Sequence, residues 1–356
     1  MNWQLKRRGF DLGHVEHSVE IENLNSQDLS RLWLAGKPAL LKGICLDELE
    51  RYQGCIEHSA KLFQSVIENA DPYQLVDQPP YSEKLEDAFE LMGSSVNEGD
   101  DQEIETVLFD AIRQGKTVAQ DLWMKVSWLS FYDEDASLRF RFSFGVDHVE
   151  DVASDKHRQG YAAQLSDVIF PESLLITHNE KLACALKQIL NSEEIDFVER
   201  IVYFNSQQGG AYLHHDRERG HDGVVYAQLS GQTYWLALPK SALLAEIVAF
   251  IENCQQHNHW PNQMRLEQRN ELIGLANNPK RLSSELETFA NDNLIHLINE
   301  TEAFVQQLIA AGHGRLIETG DALLLPQKDE GNCCWHSVFN LGQESGQALS
   351  FALRSN

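Results

Sequence analysis

The sequence predicts an α+β protein in which strands and helices occupy separate stretches of the chain. Alternating or continuous apolar and aromatic runs, typical of strands, fill residues 122–131, 137–146 and 223–239. Apolar residues recur at helical spacing in residues 55–70 and 179–191. Helical spacing then returns through residues 240–312, and two more strand-like runs follow it. These observations predict a β core that a helical insert interrupts.

Composition limits the class of protein. The chain has 356 residues, enough for one large domain or two ordinary ones, and 42% of them are hydrophobic, which is typical of a globular protein. The formal net charge is −25. A field of that sign repels phosphate backbones and anionic lipid, and the sequence carries no extended basic patch to offset it. We therefore expect neither nucleic-acid nor membrane binding.

The cysteines and the hydropathy pattern indicate a reduced compartment. None of the six cysteines belongs to a CxxC pair, and their spacing matches no disulfide framework. The first residues contain no apolar stretch fit for a signal peptide, and no run of about 18 apolar residues occurs elsewhere. The prediction is a cytoplasmic protein.

Residues 1–120 are predicted to be a mainly helical part that packs on the β core. The Gly-Lys-Pro turn in residues 36–43 leads into an apolar run that predicts an early strand. Residues 55–70 predict a helix, residues 93–103 a polar acidic loop, and residues 104–115 an amphipathic helix that Gly115 ends.

Residues 121–239 are predicted to form the first part of the β core. The runs 122–131 and 137–146, separated by the acidic segment 133–136, read as paired strands. A helix over residues 179–191 and a strand over 199–210 follow. Two further strands flank Ser230 and Gly231, which predict a tight hairpin between them.

Residues 240–312 predict the helical insert, and residues 313–356 the last strands. Residues 241–254 have helical spacing, and Ser284 with Glu287 resembles a capping box ahead of a long helix that Gly312 ends. Its apolar stripe predicts a buried face, which we expect to serve as a homodimer interface or a substrate lid; packing on the N-terminal helices is the alternative. The stripe comprises Leu286, Phe289, Leu297, Phe304 and Leu308.

A histidine–acid motif is the first chemical signal. A non-haem iron site needs two imidazoles and one carboxylate, and residues two apart on a strand point the same way, so His214 and Asp216 could supply two ligands. The same pattern occurs at three other places, of which His148 with Glu150 is the serious rival. The others are His14 with Glu16, near the terminus, and His178 with Glu180, at a predicted helix start.

A third ligand is predicted at His336. It follows Trp335, after a Gly-Asp turn, a buried strand over Leu323–Leu325 and the strand-ending Pro326. In a double-stranded β-helix, strands distant in sequence adjoin at one mouth of a barrel. Strand alternation turns His215 to the face opposite His214 and Asp216, so we expect it not to be a ligand.

These segments resemble a known family. "LHHDRERGHDGVVYAQLSGQTYWLALP" followed by "GDALLLPQ" and "WHSVFNLG" is similar to the jumonji-C and cupin-like Fe(II)- and 2-oxoglutarate-dependent oxygenases. The resemblance covers residues 199–239 and 314–354, and residues 36–43 resemble the segment that opens this fold. It implies a double-stranded β-helix and makes His214, Asp216 and His336 the iron ligands. It also implies 2-oxoglutarate as co-substrate, O2, and hydroxylation of a small molecule, amino acid, or peptide or protein side chain.

One position departs from the family pattern. Many jumonji-C enzymes place a lysine two residues after the glycine between these strands, where it pairs with the distal carboxylate of 2-oxoglutarate. Here that position is Thr233. A hydroxyl cannot neutralise a buried carboxylate, so another cation is needed, and Arg354 on the last predicted strand is the candidate. Tyr203 and Asn205 share one strand face and could add polar contacts.

Two other functions fit the same residues. The missing lysine favours a cupin-type metal enzyme that uses no 2-oxoglutarate. The insert favours a catalytically silent cupin-like binding protein with residues 240–312 as its interaction surface. Succinate production separates the oxygenase from the first alternative, and metal content separates both enzymes from the second.

Overall fold

A computed structural model describes residues 2–7, 9–16, 26–67, 72–95, 103–128, 139–146, 155–206, 209–217, 221–261 and 264–355. The strands are β1 Asn2–Arg7, β2 Phe10–Glu16, β3 Ala39–Leu41, β4 Phe89–Ser95, β5 Glu103–Arg113, β6 Lys116–Trp128, β7 Arg139–Val146, β8 Ile195–Asn205, β9 Gly210–His214, β10 Gly223–Ser230, β11 Gln232–Pro239, β12 Gly314–Glu318, β13 Ala322–Asp329, β14 Asn332–Leu341 and β15 Gly346–Ser355.

The helices lie in two groups along the chain. Those before the insert are α1 Ser26–Leu34, α2 Leu46–Ile67, α3 Pro72–Val76, α4 Tyr81–Leu85, α5 Lys156–Ile169, α6 Leu174–Thr177 and α7 Glu180–Leu190. Those of the insert are α8 Lys240–His257, α9 Leu266–Ala276, α10 Pro279–Thr288, α11 Asp292–Glu300 and α12 Glu302–Ala310. The predicted α+β class is confirmed. Among the described residues, no helix is long and apolar enough to cross a membrane.

Two antiparallel layers face each other at the centre of the molecule. The first orders its strands β8, β15, β10, β13 and β3, and the second orders them β12, β11, β14 and β9. β13 also pairs with β14, from Gln327 opposite Cys333, so the layers belong to one continuous sheet. Buried side chains from both layers meet in one inner cluster, which includes Tyr226, Leu323 and Ala348 from the first and Trp235 and Val338 from the second. The outer faces of the two layers are covered by two further apolar clusters.

The hairpin predicted at Ser230 and Gly231 is wrong. β10 pairs with β13 and β15, whereas β11 pairs with β12 and β14, so the two strands belong to different layers. Gly231 is the point at which the chain crosses between them. Its φ of +73° is the left-handed conformation that favours glycine, which is why the sequence there resembles a turn.

The helix predicted over residues 104–115 is also wrong. This segment is strand β5, in which Val107, Phe109 and Ala111 are buried in alternation. Gln114 and Gly115 both have positive φ and form the two-residue turn into β6. β4 to β7 therefore extend the first layer beyond β8, and residues 1–120 are less helical than predicted.

Several local predictions are confirmed. β3 follows the Gly-Lys-Pro turn, and α2 covers most of residues 55–70. β6 pairs antiparallel with β7, from Leu122 opposite Val146 onward. α7 spans the predicted helix, and the Asn179 side chain accepts a hydrogen bond from its first turn. The acidic segment 133–136 and the middle of the predicted loop 93–103 lie outside the described residues.

The helical insert packs on the outer face of the second layer, together with the β1–β2 hairpin. Four residues of the predicted stripe are buried there against side chains such as Leu236 and Trp335, whereas Phe289 is 37% exposed. The capping box is wrong because Ser284 lies inside α10, and the single long helix is three short ones: Phe289 ends α10, and Asn291 caps α11. The stripe thus needs no partner chain for its burial, and the homodimer stays a prediction.

Candidate metal centre

The second layer and the loop after β9 bring His214, Asp216 and His336 together. His214 ends β9, and its register partner on β14 is His336. Asp216 follows two residues later, where the chain has left the strand. Its Oδ1 lies 3.8 Å from His214 Nε2, and its Oδ2 lies 3.6 Å from His336 Nε2. One candidate ligand atom from each residue lies within 4.8 Å of the others.

Backbone carbonyls fix the tautomer of both histidines. His214 Nδ1 lies 2.6 Å from the Tyr212 carbonyl oxygen, and His336 Nδ1 lies 3.2 Å from that of Cys334. Because a carbonyl only accepts hydrogen bonds, each Nδ1 must carry the proton. In the neutral form of each ring, Nε2 then presents its lone pair toward Asp216, which is the arrangement that holds a ligating histidine in metalloproteins.

The donor set suits a divalent cation. In that form, two imidazole lone pairs and a carboxylate converge, and a positive ion between them would offset their mutual repulsion. Within the described ranges, this is the one group of histidine, cysteine and acidic side chains close enough to hold a metal. Two imidazoles and one carboxylate on one side of an ion are typical of non-haem Fe(II) sites.

The surroundings close one side of the site and leave the other open. The Trp235 indole stacks on the His336 ring, with centroids 5.4 Å apart, and Tyr226 packs edge-on against the indole at 4.6 Å. The His336 side chain is 4% exposed, whereas those of His214 and Asp216 are 34% and 22% exposed. A small molecule can therefore approach from the side of His214 and Asp216.

A buried amide, Gln327, connects two of the three residues. Its Oε1 accepts the Asp216 backbone N–H at 3.2 Å, and its Nε2 donates to the Cys334 carbonyl at 2.8 Å. That carbonyl is the one that binds His336 Nδ1. Gln327 thus ties the backbone of the carboxylate to the carbonyl that orients the second histidine.

His215 faces away from the site, as predicted. Its ring packs edge-on against Trp335 at 4.8 Å, and its Nε2 donates to Glu287 at 2.9 Å. Glu287 also binds Arg217 at 2.8 Å and Lys240 at 2.7 Å. Burial raises the pKa of Glu287, but the hydrogen bonds from Lys240 and His215 outweigh it and hold that pKa below its usual range.

The rival motifs do not join this cluster. His14 and Glu16 are exposed on β2. His178 ends α6 and Glu180 begins α7, in keeping with the predicted helix start. His148 and Glu150 lie outside the described residues.

Thr233 and Asn205 lie far from the metal end. The Thr233 hydroxyl donates to Gln228 and accepts from the Trp235 indole, both at 2.9 Å. Thr233 is four residues from Ala237, the register partner of His336, which places it about 13 Å along the strand. Asn205, opposite Gly346, lies at that same far end, and Tyr203 lies nearer the middle, opposite Ala348.

Arg354 lies at the metal end of the first layer. It follows Leu353, which pairs with Gly223, and Gly223 also pairs with Pro326, the residue before Gln327. Leu349, Phe351 and Leu353 pack on the outer face of the layer. Because side chains alternate along a strand, the position of Arg354 belongs to the inner face of the layer.

Sequence reasoning missed Gln327 and Glu287. The prediction that Pro326 ends its strand is wrong, because Pro326 pairs with Gly223 and β13 continues to Asp329 with Gln327 inside it. An amide next to the predicted strand was the available signal. Glu287 was assigned to a capping box, and nothing near it in sequence indicated contact with the loop after β9.

Comparisons with known proteins gave likenesses in structure only. No family model matches the chain, and a search of curated proteins found no match. A Burkholderia pseudomallei oxidoreductase of the 2OG-Fe(II) oxygenase family is 6% identical, with a TM-score of 0.34, over 96% of this chain and 95% of that one. Two structures of Escherichia coli YcfD, one described as a ribosomal oxygenase, are 13% identical, with TM-scores of 0.29, over 94% of this chain and 54% and 52% of theirs.

Proposed function

We propose that this protein is an Fe(II)- and 2-oxoglutarate-dependent oxygenase with a double-stranded β-helix core. Its reaction would be hydroxylation of a C–H bond in an amino acid, a peptide or protein side chain, or a small natural product. The observation that carries the proposal is the convergence of His214, Asp216 and His336, with both Nε2 atoms turned toward the carboxylate. The two facing antiparallel layers support the proposed core.

The three side chains would hold Fe(II) through two imidazoles and one carboxylate, a donor set with which the ion can also take a keto acid and O2. When bound, iron with 2-oxoglutarate and O2 supplies the oxidant for C–H cleavage. The protein itself would position the substrate and keep water away from the site. Trp235 and Tyr226 exclude water from the buried side, and the exposed side of His214 and Asp216 is where a substrate can be held.

Arg354 is the proposed partner of the distal carboxylate of 2-oxoglutarate. It lies at the metal end with inner-face parity, and a guanidinium can bind a carboxylate through two hydrogen bonds. Thr233 is a weaker candidate because its hydroxyl already binds Gln228 and Trp235. Asn205 lies at the far end with Thr233, and Tyr203 lies between the two ends, so both rank below Arg354.

Arg354→Ala is expected to raise the KM for 2-oxoglutarate about tenfold or more, since a hydrogen bond to a charged group is worth about 1.5–3 kcal/mol. Metal affinity should stay within about twofold of wild type, because this arginine contacts the co-substrate and not the ion. Thr233→Ala serves as the comparison, with a smaller effect on KM. Initial rates at varied 2-oxoglutarate measure both, and small, equal effects would remove Arg354 from the site.

The proposed function is tested by the products of the loaded protein. Purified protein, reconstituted anaerobically with Fe(II) and then exposed to O2 and 2-oxoglutarate, should release succinate, and omitting any one of the three should abolish it. Bound iron without succinate would favour a cupin-type metal enzyme, which the absent lysine at position 233 also favours. Failure to bind any divalent metal would favour the silent binding protein.

A further inference from the structure

We propose that the helical insert positions β9 and the loop after it, which carry two of the three proposed ligands, and that Glu287 is its principal positioning residue. The inference rests on the proposed function as far as the metal is concerned. It gives residues 240–312 a task that is neither a lid nor a dimer interface. The insert would act through the backbone and side chains around His214 and Asp216, without touching either ligand atom.

β9 needs such support because it is short and lies at an edge. It has five residues, and β14 is its pairing partner among the described strands. An edge strand presents backbone groups that no neighbouring strand binds. The insert meets this need at Leu213, whose N–H donates to the buried Asn299 side chain at 2.7 Å. From the β1–β2 hairpin, Arg7 donates to the carbonyls of Ala211 and Val338, on the two paired strands.

Along the chain, the residues on either side of each of these two proposed ligands contact the insert. Before His214, the Tyr212 hydroxyl binds Glu300, and Leu213 binds Asn299. The residues that follow each ligand, His215 and Arg217, bind Glu287 at 2.9 Å and 2.8 Å. Each ligand is therefore flanked by residues that α10 and α11 hold.

Glu287 joins three parts of the molecule. It stands on α10, its Oε2 binds both His215 and Arg217, and its Oε1 binds Lys240 at 2.7 Å. Lys240 directly follows β11, the strand that pairs with the His336 segment of β14. One carboxylate thus links the loop that carries Asp216 to the layer that carries His336.

Loss of the Glu287 charge should loosen that link. Glu287→Gln keeps the size of the side chain but replaces a carboxylate that binds three cationic or polar groups with a neutral amide. Substitutions of residues that orient metal ligands weaken metal binding by about 10–100-fold. We expect Glu287→Gln to weaken Co(II) binding about tenfold.

The test uses the full-length protein and two readouts. Hydrogen exchange of the metal-free protein, followed by mass spectrometry of peptides covering residues 210–217, reports the local order of the strand and loop. Anaerobic titration with Co(II) reports the affinity of the site. Glu285→Gln is the matched control, because Glu285 stands on the same helix but binds Arg281 and Asn291 instead of the loop. Asn299→Ala is a second variant that acts on the same strand.

Glu287→Gln and Asn299→Ala should both speed exchange in residues 210–217 and raise the Co(II) Kd, while Glu285→Gln changes neither. Unchanged exchange in those residues, or the same Kd for Glu287→Gln as for the control, would overturn the inference. If wild type bound no Co(II) but the exchange difference were present, the support of β9 would stand and the proposed metal function would fail. The two failures are therefore distinguishable.

Discussion

Replacing any one of the three proposed ligands with alanine should abolish Fe(II) binding and succinate formation. His214→Ala, Asp216→Ala and His336→Ala each leave two ligand atoms, too few to hold the ion against water at an open site. Anaerobic Fe(II) or Co(II) titration with wild type alongside measures the loss. Thermal unfolding of each metal-free variant shows whether the fold persists, which we expect because the site lies at one end of the two layers.

His215→Ala is the control for this experiment. It removes an imidazole from the same segment, but that ring points toward Glu287 and Trp335 and away from the centre. The variant should still bind one metal ion per chain, with an affinity lowered about as much as in Glu287→Gln. Loss of metal in His148→Ala, with retention in His214→Ala, would show that the ligand assignment is wrong.

Gly210→Ala should weaken metal binding almost as strongly, although residue 210 is not a proposed ligand. A Cβ at residue 210 would lie 1.9 Å from the Val338 carbonyl oxygen and 2.8 Å from its carbon. These are backbone atoms of β14, so no side-chain rotation relieves the clash, and β9 must move away from its partner. Overpacking of this kind costs about 1–3 kcal/mol or more. Because His214 and His336 are register partners on these two strands, the Co(II) Kd should rise by about a hundredfold or more.

Gly274→Ala is the matched control for Gly210→Ala. Gly274 lies in α9, and a Cβ there meets nothing within 4 Å. Alanine is the better helix former, so thermal stability should be unchanged or slightly higher and metal affinity unaffected. If Gly210→Ala bound Co(II) as tightly as this control, the close approach of β9 to β14 would not be what holds the two histidines together.

The candidate site could be predicted from sequence because its chemistry is local and its geometry simple. Alternation at the end of β9 predicts His214 and Asp216 on one side and His215 on the other, and the structure agrees although Asp216 lies just beyond the strand. His336, expected to open a second strand, lies in the middle of β14. Gln327 and Glu287 could not be assigned in this way. Their roles depend on which segments meet in three dimensions, and no periodicity in the sequence records that.

The wrong predictions have physical reasons of the same kind. The apolar residues from Ile104 to Ile112 fit helical spacing as well as strand alternation. The tight turn at Gln114 and Gly115 distinguishes the two, because it joins β5 to β6 as a hairpin. Gly231 was read as a hairpin because a glycine between two strands indicates a reversal without telling which strands pair. The insert's stripe predicts a dimer interface or a lid because the outer face of β11 and β14, which covers the stripe, cannot be recognised from the sequence.

The pairing of β9 with β14 also determines at what point in the synthesis of the chain the three proposed ligands can come together. The whole helical insert separates these strands in the chain, and closing so long a loop has an entropic cost that contacts must first offset. A nascent chain that ends inside the insert holds His214 and Asp216 but lacks His336 and the strand that aligns them. The three proposed ligands can therefore come together only after β14 has been synthesised, and any metal would be bound after that point.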